Sequence, residues 1–222
     1  GGTYRLAGGV LEVGGANSIN GTGTFEFAGG TLRVTTSPLT ATAAASFAAG
    51  TTSTIDTNAL AATWSGLFTG SGGLNKVGTG TLTLAQPMGY TGLTTISGGT
   101  LALTGASQIM GGGVFVDAAG TFDISAVTGS IPPAFPAPTI VLPSLTGSGT
   151  VNAGTNTLAL DLAGNEGFSG TVNLGGEGWL PAHGLFMKAG AGTLTVDGAT
   201  FSGGQTLVMD GALAQTSGNT AI

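Results

Sequence analysis

The chain has 222 residues, of which 44 are glycine and only 6% are charged, against roughly a quarter in ordinary globular domains. A net charge of -6 with four basic residues leaves nothing to neutralise a phosphate backbone, which excludes nucleic acid as a partner. Zero cysteines exclude disulfides, thiolate metal sites and thiol catalysis together.

The glycine has no three-residue period, which rules out collagen, and a hydrophobic share of 41% is too high for a disordered linker. The most apolar window, 131–143, holds Pro132, Pro133, Pro136, Pro138 and Pro143, which would break a membrane helix, so the sequence predicts no transmembrane helix. The chain opens without Met and without a charged-then-apolar leader, and reads as a portion of a longer protein.

Taken in order, the chain repeats a Gly-(Thr/Val/Ala)-apolar-x-apolar unit whose glycines fall at 9, 30, 50, 80, 99, 120, 149, 170, 192 and 211. Most steps are 19 to 22 residues, and two are 29 and 30. A β-solenoid coil of about twenty residues accounts for the short steps, and one coil plus an inserted loop for the long ones. The expected fold is all-β, a single-stranded parallel β-helix of about ten coils, with 1–222 as one solenoid segment and loop insertions near 57–69 and 131–143. Coils about 4.8 Å apart would make a rod of roughly 45 to 50 Å.

Side chains two and four places past each glycine should stack inward: Leu11 and Val13, Leu32 and Val34, Leu82 and Leu84, Leu101 and Leu103, Phe122 and Ile124, Val151 and Ala153, Val172 and Leu174, Leu194 and Val196. The positions between them, such as Thr31, Arg33, Thr81 and Thr83, then face out, because strand side chains alternate. Glu12 and Arg33 occupy the same outward site on adjacent coils and should lie side by side, worth a few tenths of a kcal/mol if exposed. After Gly50 the apolar Ile55 comes one place late, which predicts a bulge or shifted corner there. The alanine run at 41–49 is expected to be a small-residue strand or corner rather than a helix. Of the two insertions, 57–69 carries Trp64 and Phe68, while the proline-rich one carries Phe135 and should protrude as a stiff extended loop.

The stretch 72–104 organises the rest, with three short strands at 81–84, 93–96 and 100–103 parted by glycine-rich corners. Its fixed residues are Leu74, Lys76, Gly78, Gly80, Thr81, Leu82 and Leu84, then Tyr90, Gly92, Thr94 and Ile96, then Gly99, Thr100 and Leu101. This pattern resembles the autotransporter-associated β-strand repeat. A degraded copy lies at 184–215: Lys188, Gly190, Gly192, Thr193 and Leu194 repeat the first copy at an offset of 112, and Phe201-Ser202-Gly203 repeats Tyr90-Thr91-Gly92 at 111. The resemblance implies a right-handed parallel β-helix, exported across an outer membrane by a C-terminal β-barrel, and so an extracellular or cell-surface location. The chain departs from the pattern in carrying Met88 where an Asn commonly precedes the Gly-Tyr corner.

Chemistry finds few footholds. Polysaccharide cleavage on a β-helix needs paired carboxylates or a poised basic residue. Asp161, Glu166 and Glu177 share one coil and Asp117 and Asp123 another, but no basic residue stands near either group in sequence. His183 is the single histidine and has no Gly-x-Ser-x-Gly elbow to serve; zinc would need a second His, and calcium would need Gly-Gly-x-Gly-x-Asp runs. No cofactor or metal is expected. Phe68, Tyr90, Phe168 and Phe201 recur before a Ser/Thr-Gly pair and read as a buried corner ladder rather than a sugar platform. Thr pairs such as Thr81 with Thr83 evoke ice-binding arrays, but Ala102, Asp123 and Asn173 interrupt the neighbouring sites. Contact candidates are Trp64, Trp179 and Phe135. The resulting expectation is a non-enzymatic stalk or scaffold, partnered by further copies, by neighbouring segments of a longer chain, or by a glycan or host surface. A polysaccharide lyase or hydrolase and a glycan- or host-binding adhesin are the alternatives.

Overall fold

The computed structural model describes residues 1–109, 111–129, 138–176 and 184–215. Every regular element in them is a strand of two to eight residues, and the pairings between strands are parallel. Such short strands follow from the sequence: two or three inward aliphatics alternate with Thr, Asn or Ser, and a glycine then breaks the run.

Each turn of chain crosses three faces. On the first, Thr3–Leu6, Thr24–Phe27, Ala44–Phe47 and Phe68–Gly70 form a four-stranded sheet, continued by single bridges from Phe68 to Met88 and from Met88 to Ile109. The same face resumes as a second four-stranded sheet of Thr139–Leu142, Thr157–Asp161, Leu185–Ala189 and Gln205–Val208. The second face is a seven-stranded sheet from Val10–Val13 to Leu145–Gly147, followed by Glu166–Gly167, Thr193–Thr195 and Ala212–Ala214. The third face is unbroken, with nine strands from Ala16–Ile19 to Thr200–Ser202, one per turn. The molecule is thus a parallel β-solenoid of nine turns, with two strands of a tenth, on the order of 40 Å long.

The three faces enclose one continuous column of buried side chains. On the nine-stranded sheet the in-register series Leu82, Leu101, Phe122, Val151, Val172 and Phe201 runs through six turns, each residue 7% exposed or less. One place earlier, Thr81, Thr100, Thr121, Thr150, Thr171 and Thr200 form an outward ladder of six threonines. Two places further the outward column is mixed, Thr83 then Ala102, Asp123, Asn152, Asn173 and Ser202, with side-chain hydrogen bonds from Asn173 to Asn152 (2.7 Å) and Ser202 to Asn173 (2.8 Å).

The other outward expectations are met with detail added. Glu12 and Arg33 are register partners 3.7 Å apart, and Arg33 also binds Asp56 of the third turn at 2.9 Å. The shift after Gly50 is present: Thr52–Asp56 turns Ser53 and Ile55 inward, and Ile55 pairs with Leu32. The Ser53 hydroxyl, buried by that shift, accepts the Gly29 N–H at 2.8 Å. The alanine run contains the strand Ala44–Phe47.

Three expectations need correction. The glycine-marked strands do not form one column: those after Gly9, Gly30 and Gly50 lie on the second face, those after Gly80 to Gly170 on the third, and those after Gly192 and Gly211 on the second again. The step from Gly50 to Gly80 is therefore a turn plus one further face, not a turn plus a loop. Accordingly 57–69 is not a loop insertion, since it contains Ala62–Trp64 on the third face and the start of Phe68–Gly70 on the first. Of 131–143, the residues Thr139–Leu142 form a first-face strand, while 131–137 with Phe135 lie outside the described residues.

Trp64 moves with that correction. Its indole is fully buried, its Nε1 donates to the Ala43 carbonyl at 2.8 Å, and it packs among Phe25, Phe27 and Phe68 at centroid distances of 5.0 to 6.0 Å. Phe47 and Tyr90 extend the cluster, which fills turns two to five. Phe68, Tyr90, Phe168 and Phe201 are all buried as expected, but not as one ladder of touching rings: Phe201 meets Phe186 edge-on at 4.9 Å near the other end. Trp64→Ala should therefore cost about 3 to 5 kcal/mol of folding stability, measured by denaturant titration, with Trp64→Phe milder; an unchanged midpoint for the alanine variant would contradict the packing.

Candidate functional site

The most unusual side chains in the column are two lysines. Lys76, in Gly73–Val77, points inward at a position whose register partners are Ile55 on one side and Ile96 on the other. Lys188, in Leu185–Ala189, pairs with Leu160 and Val208. Both are completely buried. Alternation forces the side chain inward, and an ammonium there is tolerable only if each of its protons finds an acceptor.

The corners supply those acceptors. Lys76 Nζ donates to the carbonyls of Val77 (3.0 Å), Gly78 (2.9 Å) and Gly98 (3.0 Å). Lys188 Nζ donates to those of Ala189 (2.6 Å), Gly190 (2.7 Å) and Asp210 (3.2 Å). The two sets correspond one for one at the 112-residue offset. Burial pushes the Lys76 amine down to about 8, with the Asp56 carboxylate pulling it partly back.

The glycines of the motif make the corner possible. Gly78 and Gly190 sit at φ +80° and +74°, turning the chain so that consecutive carbonyls converge on the ammonium. Gly99 and Gly211, at φ +61° and +69°, lie one residue past the third acceptor; a Cβ on Gly99 would overlap the Gly78 and Gly80 carbonyl oxygens, and one on Gly211 those of Gly190 and Gly192. Tyr90 completes the first copy: its hydroxyl is 2.6 Å from the buried Thr94 hydroxyl, and burial pushes its pKa up to about 12 against the lowering effect of that hydrogen bond. The second copy has Phe201 in place of Tyr90.

The copies occupy different edges of the prism. Lys76 closes the corner between the second and third faces, whereas Lys188 closes the one between the first and second.

Of the described residues weighed for catalysis, three carboxylates are hydrogen-bonded separately. Asp117 accepts the Ala118 N–H (2.8 Å), Asp123 the N–H and hydroxyl of Ser125 (2.9 and 2.7 Å), and Glu166 the Leu145 N–H of the preceding turn (3.0 Å). Asp161 is exposed at its strand end. Among the described residues no group of three or more His, Asp or Glu is placed to hold a metal, and no helix is long and apolar enough to cross a membrane. Trp179, Glu177 and His183 lie outside the described residues. Sequence reading assigned no role to Lys76 and Lys188; the signal available was that both recur at one offset together with the glycines that cradle them.

The fold and its two equivalent lysine corners define a parallel β-solenoid built on a sequence repeat. Residues 74–103 and 186–214 match the family model of the passenger-associated-transport-repeat, so the chain carries two copies of this autotransporter passenger repeat. No curated protein and no solved structure matches it.

The lowered pKa sets a pH dependence. Between about 8 and the ordinary 10.5 the unfolded chain still holds a proton that folded Lys76 has released, so this group's contribution to stability rises with pH across that window and is flat below it. Denaturation of the wild type and of Lys76→Met at pH 7 to 10.5 should show the wild type gaining on the variant; a constant difference would contradict the assignment.

Proposed function

We propose that the chain is a segment of the secreted passenger of an autotransporter-type protein, at or beyond the bacterial surface, and acts there as a non-enzymatic rod. The observation that carries this reading is where the repeat motif spends its residues. Lys76 and Lys188, the corner glycines, Tyr90 and Phe201 are consumed inside the solenoid, building turns. Because the two copies open on different edges, their shared residues offer no common outer surface to a substrate or receptor.

The rod's partners are further solenoid turns, from neighbouring sequence or another copy. Tyr4 and Val10 are exposed on the first turn, and Leu207, Val208 and the following Met209 at the other end, beside strand edges with no partner strand among the described residues.

Two measurements test the proposal. In intact cells making the parent protein with a tag in this segment, added protease should remove the tag, and retention of the tag would count against surface exposure. On the purified segment, a glycan array and polysaccharide digests should give no saturable binding and no cleavage; either activity, lost on changing Asn152 and Asn173 to Ala, would shift the reading to an adhesin or enzyme. Each of those outward substitutions removes ladder hydrogen bonds and should cost about 0.5 to 1.5 kcal/mol, leaving the fold intact.

A further inference from the structure

In each copy of the repeat, two of the three carbonyls around the ammonium belong to the lysine's own corner. The third comes from 22 residues later, at the matching corner of the next turn: Gly98 for Lys76 and Asp210 for Lys188. Until that turn is seated, the lysine lacks one acceptor and its ammonium is better satisfied by water than by the dry column. The following turn is in the same position, since the glycine that packs it against its predecessor, Gly99 or Gly211, sits beside the third acceptor. Elsewhere in the column Ile55, Ile96 and Leu160 make no such demand, because an aliphatic side chain gains from each neighbour independently.

We propose that each repeat lysine is a turn-to-turn lock: one ammonium, held in a cage of backbone carbonyls, closes its own corner and that of the following turn in a single step. Turns four and five open and close as one unit, as do the ninth turn and the strands after it. The other neighbouring turns are held by ladder hydrogen bonds, the core and side-chain bonds such as Asn58 to the Val34 carbonyl and Asn156 to that of Ile124, with no buried ammonium among the described residues. The lock is a property of the corner and is independent of what the rod carries.

Hydrogen exchange on the full chain tests it, with Lys76→Met, which keeps the apolar stem and removes the donors. The reporters are the amides of Gly80, Ser97 and Thr100, which bond to Asn58, Lys76 and Gly80 at 2.7, 2.9 and 3.2 Å and so span both turns. All three should exchange at least tenfold faster, together, while Thr171, bonded to Gly149 several turns away, is unchanged. Faster exchange confined to one turn, spread evenly over the chain, or absent would overturn the lock. A second variant covers a failure of the first to fold. Lys76→Ala leaves the carbonyl cage without its ammonium; methylammonium chloride should restore its thermal midpoint, and tetramethylammonium chloride at equal ionic strength, which donates no hydrogen bond, should not. Equal response to the two salts would overturn the proposal.

Discussion

A chain that bends from one face of a solenoid to the next leaves carbonyl oxygens at the bend with no strand to pair them. Along the faces the problem does not arise, because each turn's amides and carbonyls are taken up by the turns on either side. At the corners it must be solved locally, and the whole architecture depends on the solution. This protein uses several. Asn58, at φ +52°, donates its amide to the Val34 carbonyl of the preceding turn, Asn156 reaches the carbonyls of Ile124 and Val127, and the two repeat copies bring in a lysine. The lysine is the most demanding of these, since a buried charge is tolerated only when every proton is spoken for.

Glycine follows from the same constraint. Corners of successive turns stack almost in contact, so positions such as Gly80 and Gly192 face the carbonyl oxygens of Leu60 and Gly164 with no space for a Cβ. The unusual composition is thus a record of corners, three to a turn, rather than of flexibility. Low charge has a related origin. With all three inner surfaces dry, the outer surface is wetted mainly by Thr, Asn and Ser, whose side chains hydrogen-bond to their counterparts on neighbouring turns.

Much of this fold is written locally. Alternation of Leu, Val and Ile with Thr fixes which side chains turn inward, and Leu82, Leu101, Phe122, Val151 and Val172 are buried as their spacing requires. Even the late apolar residue after Gly50 announces its own phase shift. Face identity is a different matter, because it accumulates over every preceding corner and the corners of all three edges look alike in sequence. That is why Gly50 and Gly80 pass for one column, and why Trp64, in the extra face between them, passes for an exposed contact. Its burial depends on Phe25, Phe27 and Phe68 from other strands, which no local pattern reveals. The role of Lys76 was hidden for the same reason: its third acceptor is 22 residues away, and a lone Lys in a polar stretch has every appearance of a solvated one.

The offset between the two lysine corners carries its own consequence. One copy begins on the second face and the other on the first, so the distance between them is not a whole number of turns. A corner that works at two edges of the prism is not tied to one phase. Copies of this kind can therefore sit a third of a turn out of step within one rod while its interior stays sealed.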